Sequence, residues 1–137
     1  MATIEGFAGT FEGAGTWHDA AGKSAMYRIQ QTAAATDGGF DVAFRHDFDD
    51  GTVVEGRFSM SWIASNLFRV DVSGAPVGNG YLFGDLCHYH LMFGDKLVEV
   101  TYRSGAGELA VFGSSSTNAE GNYIAWKEVL RRIESAP

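Results

Sequence analysis

The amino-acid sequence predicts an all-β protein, a closed antiparallel up-and-down barrel of about 8–10 strands, and three observations carry that prediction. Alternating apolar and polar runs recur at the roughly 8–12-residue spacing of sandwiches and barrels, and short glycine-bearing turns separate them. The composition agrees, because 18 glycines, 13% aromatic residues and only two prolines suit many short strands joined by tight turns. Finally, 137 residues without a linker, repeat or low-complexity tract suit one domain, read as spanning residues 1–137. A two-sheet sandwich is the alternative; closure is preferred because it removes exposed strand edges.

The first run, "FEGAGTWHD", ends at the turn "AAGK" and is followed by "SAMYRIQQT" and the turn "TDGG". In "FDVAFRHDF" the residues Phe40, Val42, Phe44, His46 and Phe48 share one side, and Asp41, Arg45 and Asp47 the other, so the first set should face inward. The turn "DDG" leads directly into "TVVEGRFSMSWI", where Val54, Gly56, Phe58, Met60 and Trp62 line up on the same interior. "LFRVDVS", "YLFG" and "LCHYHLMF" follow. "LVEVTYRS" then sets Val98, Val100 and Tyr102 against Glu99, Thr101 and Arg103. After "ELAVFG" and a Ser/Asn/Gly loop, "NYIAWKEVLRRI" reads as a strand with Ile124, Trp126 and Leu130 inward. A short helix is the competing reading there, because Trp126, Leu130 and Ile133 recur at i, i+4, i+7.

The opening "GTFEGAGTW", Gly9 to Trp17, resembles the first strand of calycin-type barrels: lipocalins, fatty-acid-binding proteins and, most closely, the nitrobindin-like group. Gly9, Thr10, Gly13 and Gly15 match the Gly-Thr-Trp-x-Gly-x-Gly element of that group, with Phe11 in place of the tryptophan. The closing "LRRI", Leu130 to Ile133, is similar to the basic end of the same group's last strand. The resemblance implies a calycin-like (lipocalin-like) barrel around a small-molecule site. In nitrobindin-like proteins it also implies haem held by a histidine near the C-terminus, but this chain has no histidine after His90. The purified protein is therefore expected to carry no stoichiometric haem, and the cofactor stays unknown.

A formal charge of −7, with scattered basic residues, argues against a nucleic-acid or anionic-membrane surface. The N-terminal stretch lacks the basic and apolar regions of a secretory signal, and no apolar run reaches the length of a membrane span. Cys87 is alone, so no internal disulfide forms and a cytoplasmic location is expected.

The stretch "DLCHYH" poses the functional question. His88 and His90 share one face of a strand, where both imidazoles could reach a common ligand, or a metal ion if His46 supplied a third contact. The opposite face, Cys87, Tyr89, Leu91 and Phe93, is the more apolar and competes for the interior. The expectation set against that vote is that His88 and His90 face inward beside His46, whose strand already places a histidine among four hydrophobes. Gly78, Gly80 and Gly84 just before this strand leave room for a ligand or mark a bend. "GSSSTNAEGN" (residues 113–122) reads as a connecting loop at a barrel mouth, the alternative being an anion site without a phosphate-loop lysine.

The function expected is a barrel holding one largely apolar or aromatic molecule. Trp17, Phe44, Phe58, Met60 and Trp62 form its walls, and His46, Tyr81, His88 and His90 supply polar contacts. Catalytic residues are unknown: there is no Gly-x-Ser-x-Gly elbow or Cys-x-x-Cys, and Cys87 and His88 point apart as strand neighbours. The alternatives are an enzyme using His46, His88 and Tyr81 as acid–base groups, and a filled barrel that binds another protein. Assembly as a homodimer is left open.

Overall fold

The computed structural model describes residues 3–135. Ten strands follow in order: β1 (Gly9–Asp19), β2 (Ser24–Thr36), β3 (Gly39–Phe48), β4 (Val53–Trp62), β5 (Leu67–Val72), β6 (Ala75–Phe83), β7 (Leu86–Phe93), β8 (Lys96–Gly105), β9 (Glu108–Ser115) and β10 (Ile124–Glu134). Each pairs antiparallel with its neighbour in sequence, and β1 pairs with β10 to close the barrel. The last run is thus a strand and not a helix, since Gly13 faces Leu130 and Trp17 faces Trp126 across the closure. Among the described residues no helix is long and apolar enough to cross a membrane.

The alternation in sequence becomes an inner and an outer surface. Phe40 and Val42 of β3, Phe58 and Met60 of β4, Phe68 and Val70 of β5, Leu109 and Val111 of β9 and Leu130 of β10 are all buried in one core. Hiding such side chains contributes roughly 1.5–3 kcal/mol each, which selects this register over a one-residue slip that would turn every one of them outward. The "DDG" turn is built as a tight hairpin: Gly51 adopts φ 88°, and the Asp50 carboxylate accepts the Thr52 amide at 2.9 Å.

The run "YLFG" is only the end of β6, which begins at Ala75. Pro76 is accommodated because the register shifts between Val70 and Asp71, giving the kind of irregularity that tolerates a missing N–H. Gly78 and Gly80 lie within the strand, and they leave no space for a ligand. A Cβ at either would overlap the β7 carbonyls of His90 and His88, so they are sites of close backbone approach.

One end of the barrel is closed by the N-terminal segment. Ile4 and Phe7 are buried in a turn in which the Phe7 amide donates to the Ile4 carbonyl at 2.8 Å. Arg132 clasps this segment: its guanidinium donates to the carbonyls of Glu5 (2.9 Å) and Ala8 (3.2 Å) and lies 5.0 Å from the Phe11 ring centre. Arg132→Ala removes two charge-assisted hydrogen bonds and a cation–π contact. The expected cost is about 2 kcal/mol, read as a lower urea midpoint with an unchanged m-value.

Candidate functional site

The opposite end, where β1, β3, β7 and β9 finish, is open. A cavity of about 190 Å³ lies inside it, walled by Phe44, Phe58, Leu91, Val98, Val100, Val111 and Trp126, with Gln31, His46, Tyr89, Tyr102 and Glu128 as its polar groups. A second compartment of about 220 Å³, lined by Trp17, Tyr27, His46, Phe48, Ile124 and Trp126, adjoins it at the mouth. Each alone is smaller than the roughly 300–1,000 Å³ of typical ligand pockets, and His46 and Trp126 stand in the wall of both.

The walls are thin where glycines face inward. Gly15 lies opposite Tyr27, Gly56 opposite Phe44, and Gly113 opposite Trp126. In each pair the ring lies over its glycine, so that an added Cβ would strike the ring. Three aromatic side chains therefore lie against the sheet.

Glu128 is the centre of the polar side. It projects inward from β10 because Trp126, Glu128 and Leu130 share one face of the strand, and its side chain is 4% exposed. Its Oε2 accepts the Tyr27 hydroxyl at 2.7 Å, across 101 residues of sequence. Its Oε1 meets no hydrogen-bond donor among the described residues. Since none of their buried side-chain polar atoms is both sealed and unpartnered, that oxygen opens onto the cavity. Burial pushes the carboxyl up to about 7, against the opposing pull of the Tyr27 hydrogen bond. The Tyr27 phenol is pushed above its ordinary range, first by burial and then by the neighbouring carboxylate.

His46 stands beside this pair, its Nε2 4.0 Å from Glu128 Oε2, too far for a hydrogen bond. Its ring lies between Tyr27 (centroids 4.8 Å apart, 24° between planes) and Phe44 (4.9 Å). Desolvation lowers the imidazole to about 4. At neutral pH His46 is uncharged, with one nitrogen an acceptor. The cavity floor is a hydrogen-bonded row: Tyr102 donates to Gln31 Oε1 at 3.2 Å, which leaves Tyr89 to donate to Tyr102 at 3.2 Å. Burial raises both phenols, so the row stays neutral.

The residues singled out from sequence separate into three groups. Phe44, His46 and Phe58 line the inner cavity, and Trp17 lines the mouth compartment. Met60 and Trp62 lie toward the closed end: Met60 is buried beneath the floor, and Trp62 packs on Phe40 and Phe68. Tyr81, His88 and His90 are on the outer surface, contrary to the expected convergence on His46. Cys87, Tyr89 and Leu91 take the interior because burying their larger apolar area outweighs placing two imidazoles there. Outside, His88 stacks on Tyr81 (5.2 Å, 26°) and its Nδ1 is 2.9 Å from the Thr101 hydroxyl. No three His, Cys, Asp or Glu side chains converge as metal ligands among the described residues. Cys87 is buried toward the closed end, its thiol pushed up to about 12, which makes it a poor nucleophile.

Sequence reasoning missed Glu128, Tyr27, Gln31, Tyr89 and Tyr102. The signal was the strand period itself: Glu128 falls between Trp126 and Leu130 on the face already assigned inward, and Gln31 falls between Ile29 and Ala33. Of the 113–122 segment, Gly113–Ser115 end β9 and only 116–122 form the mouth loop. Asn118 Oδ1 accepts the amides of Glu120 and Asn122, and the Asn122 side chain binds the Ala20 amide and the Asp19 carboxylate.

No family model matches the chain, and no curated protein matches it by sequence. Solved structures do match by shape. The S-type phycobiliprotein lyase CPES from Guillardia theta superposes with a TM-score of 0.76 at 10% identity, covering 96% of this chain and 91% of that one. Rv2717c from M. tuberculosis superposes with a TM-score of 0.73 at 12% identity, covering 94% of each chain. At such identities the likeness is one of fold: this chain forms a closed ten-stranded antiparallel barrel of the same shape as theirs.

Proposed function

We propose that the protein binds one small, largely aromatic or apolar molecule in the open end of the barrel, with His46 among its polar contacts. The observation that carries this reading is the paired cavity, open to solvent and walled by rings that lie against the sheet. Such space favours a guest over the filled core of a pure interaction module. The barrel shape is shared with the phycobiliprotein lyase CPES from Guillardia theta. The lone buried thiol suits a reducing compartment such as the cytoplasm.

The nitrobindin-like resemblance, kept as a proposal, is carried by the Gly9–Trp17 run and by the closing Leu130–Ile133. Its haem does not fit this chain. The histidine that group places near the C-terminus is absent, and the one histidine of the cavity lining among the described residues, His46, has its ring packed between Tyr27 and Phe44.

Titration with N-phenyl-1-naphthylamine, a neutral aromatic dye that brightens in apolar surroundings, tests the reading. Saturable one-to-one binding is expected for the wild-type protein. Val98→Phe, which fills part of the cavity from β8, should weaken it at least about tenfold while leaving the melting temperature near its original value. Absence of saturable binding, or equal affinity in the variant, overturns the proposal.

A further inference from the structure

We infer that the molecule held in this cavity carries a basic nitrogen, an amine or amidine attached to a flat apolar body, and that Glu128 is the residue that receives it. The inference rests on the ligand-binding reading above and adds the chemistry of the head group.

Three observations carry it. Among the described residues no lysine or arginine lines the cavity or its mouth compartment, so a ligand carboxylate or phosphate entering this apolar space would meet no countercharge there. Among the described residues the one carboxylic acid in the lining is Glu128, its side chain more than nine-tenths buried, with one oxygen held by Tyr27 and the other free toward the cavity. The imidazole of His46, neutral and without a hydrogen bond of its own among the described residues, offers a second acceptor at the same place. A ligand N–H⁺ thus finds two acceptors side by side and aromatic faces on either flank, Phe44 on β3 and Trp126 on β10.

The other groups facing the carboxyl do not compete for the cation. Tyr27 from β2 donates to it, Tyr89 from β7 and Tyr102 from β8 are neutral phenols, and His46 from β3 is uncharged. β1 and β9 contribute Gly15 and Val111 opposite Glu128. The arrangement is the reverse of a fatty-acid site, in which a buried cation waits for a carboxylate.

Because the cation must meet the ionised carboxylate, affinity for it follows the ionisation of Glu128. With that group titrating at about 7, binding rises as pH increases through neutrality, and below neutrality each binding event releases a proton.

The test uses three probes that share one apolar body, 2-naphthylmethylamine, 2-naphthylmethanol and 2-naphthoate, each competing with bound N-phenyl-1-naphthylamine. At pH 8 the amine should displace the dye at a concentration at least about tenfold lower than the alcohol, with the naphthoate weakest of the three. Between pH 8 and pH 5.5 the amine's affinity should fall roughly 30-fold, the change in the ionised fraction of a group titrating near 7, while the alcohol's stays level. Glu128→Gln should erase both the amine preference and its pH dependence, with near-ultraviolet circular dichroism reporting that the variant is folded.

Equal displacement by all three probes, or a preference for the naphthoate, overturns the basic-nitrogen inference and leaves the binding reading standing. Failure of the dye to bind at all overturns both. An amine preference that survives in Glu128→Gln shows that another group receives the nitrogen and rejects the assignment to Glu128.

Discussion

Gly13→Val is expected to abolish cooperative folding, or to lower unfolding stability by about 4 kcal/mol or more, the largest effect of any single substitution considered. Gly13 sits opposite Leu130 in the β1–β10 seam that closes the barrel. A Cβ there would overlap the Val129 carbonyl oxygen and come within 2.8 Å of the Leu130 Cα, all of it backbone that cannot rotate away. Relief requires β10 to move off β1, and closure is lost with it. Ala14→Val, one residue on and exposed on the outer face, should change stability by less than about 0.5 kcal/mol. Urea unfolding of the two variants side by side distinguishes a closure defect from a general intolerance of valine in β1, and comparable midpoints would refute the seam argument.

Glu128→Gln should make the protein more stable at pH 8 and leave it nearly unchanged at pH 4.5. The carboxyl ordinarily titrates at 4.5 and is raised to about 7 by burial, so the folded state holds its proton more tightly than the unfolded chain does. The stabilisation this gives is complete below 4.5, declines as pH rises, and is gone once the folded carboxyl ionises above 7. Across that window the native state loses about 3 kcal/mol relative to a neutral isostere, equivalent to roughly 10 °C in melting temperature for a domain of this size. The glutamine still accepts the Tyr27 hydroxyl, so the gain at pH 8 is not offset by an orphaned donor.

His46 supplies the opposite slope. Its lowered value of about 4 means that the unfolded chain takes up a proton between 6.5 and 4 that the folded protein refuses, and stability falls with acid. The variant should show this slope alone, whereas the wild-type protein shows the two in partial cancellation. Melting curves of both proteins from pH 4.5 to 8.5 provide the check; a constant difference between them across the range would mean that Glu128 is not desolvated as described.

The fold was legible because its signal is local. Phe40, Val42, Phe44, His46 and Phe48 announce their inner face by alternation alone, and the "DDG" turn requires the next strand to line the same interior. The candidate site was legible in its apolar walls and in His46, and the remainder was not, for two different physical reasons. Glu128 occupies an inward position that its strand's period specifies, but a carboxylate is placed outside by default, and its hydroxyl partner is 101 residues away on a strand that meets β10 only through β1. No local pattern encodes that pairing. His88 and His90 raised the reverse difficulty. Two imidazoles on one face suggest a site, yet the alternation of "LCHYHLMF" offers the core Cys87, Tyr89 and Leu91, and burial area decides between the faces.

The rings that rest on glycines give the barrel an adjustable bore. At Gly56 the atoms that an added methyl would meet are the far edge of the Phe44 ring, so the ring and not the sheet would yield, swinging toward the lumen. Gly113 stands in the same relation to Trp126. Lumen diameter is therefore governed by residues with no side chain, set behind the surface that a guest touches, while the polarity of the lumen is governed separately by Glu128 and His46. Width and charge preference can be changed independently: a single methyl at 56 or 113 narrows the channel without altering any group that makes a hydrogen bond.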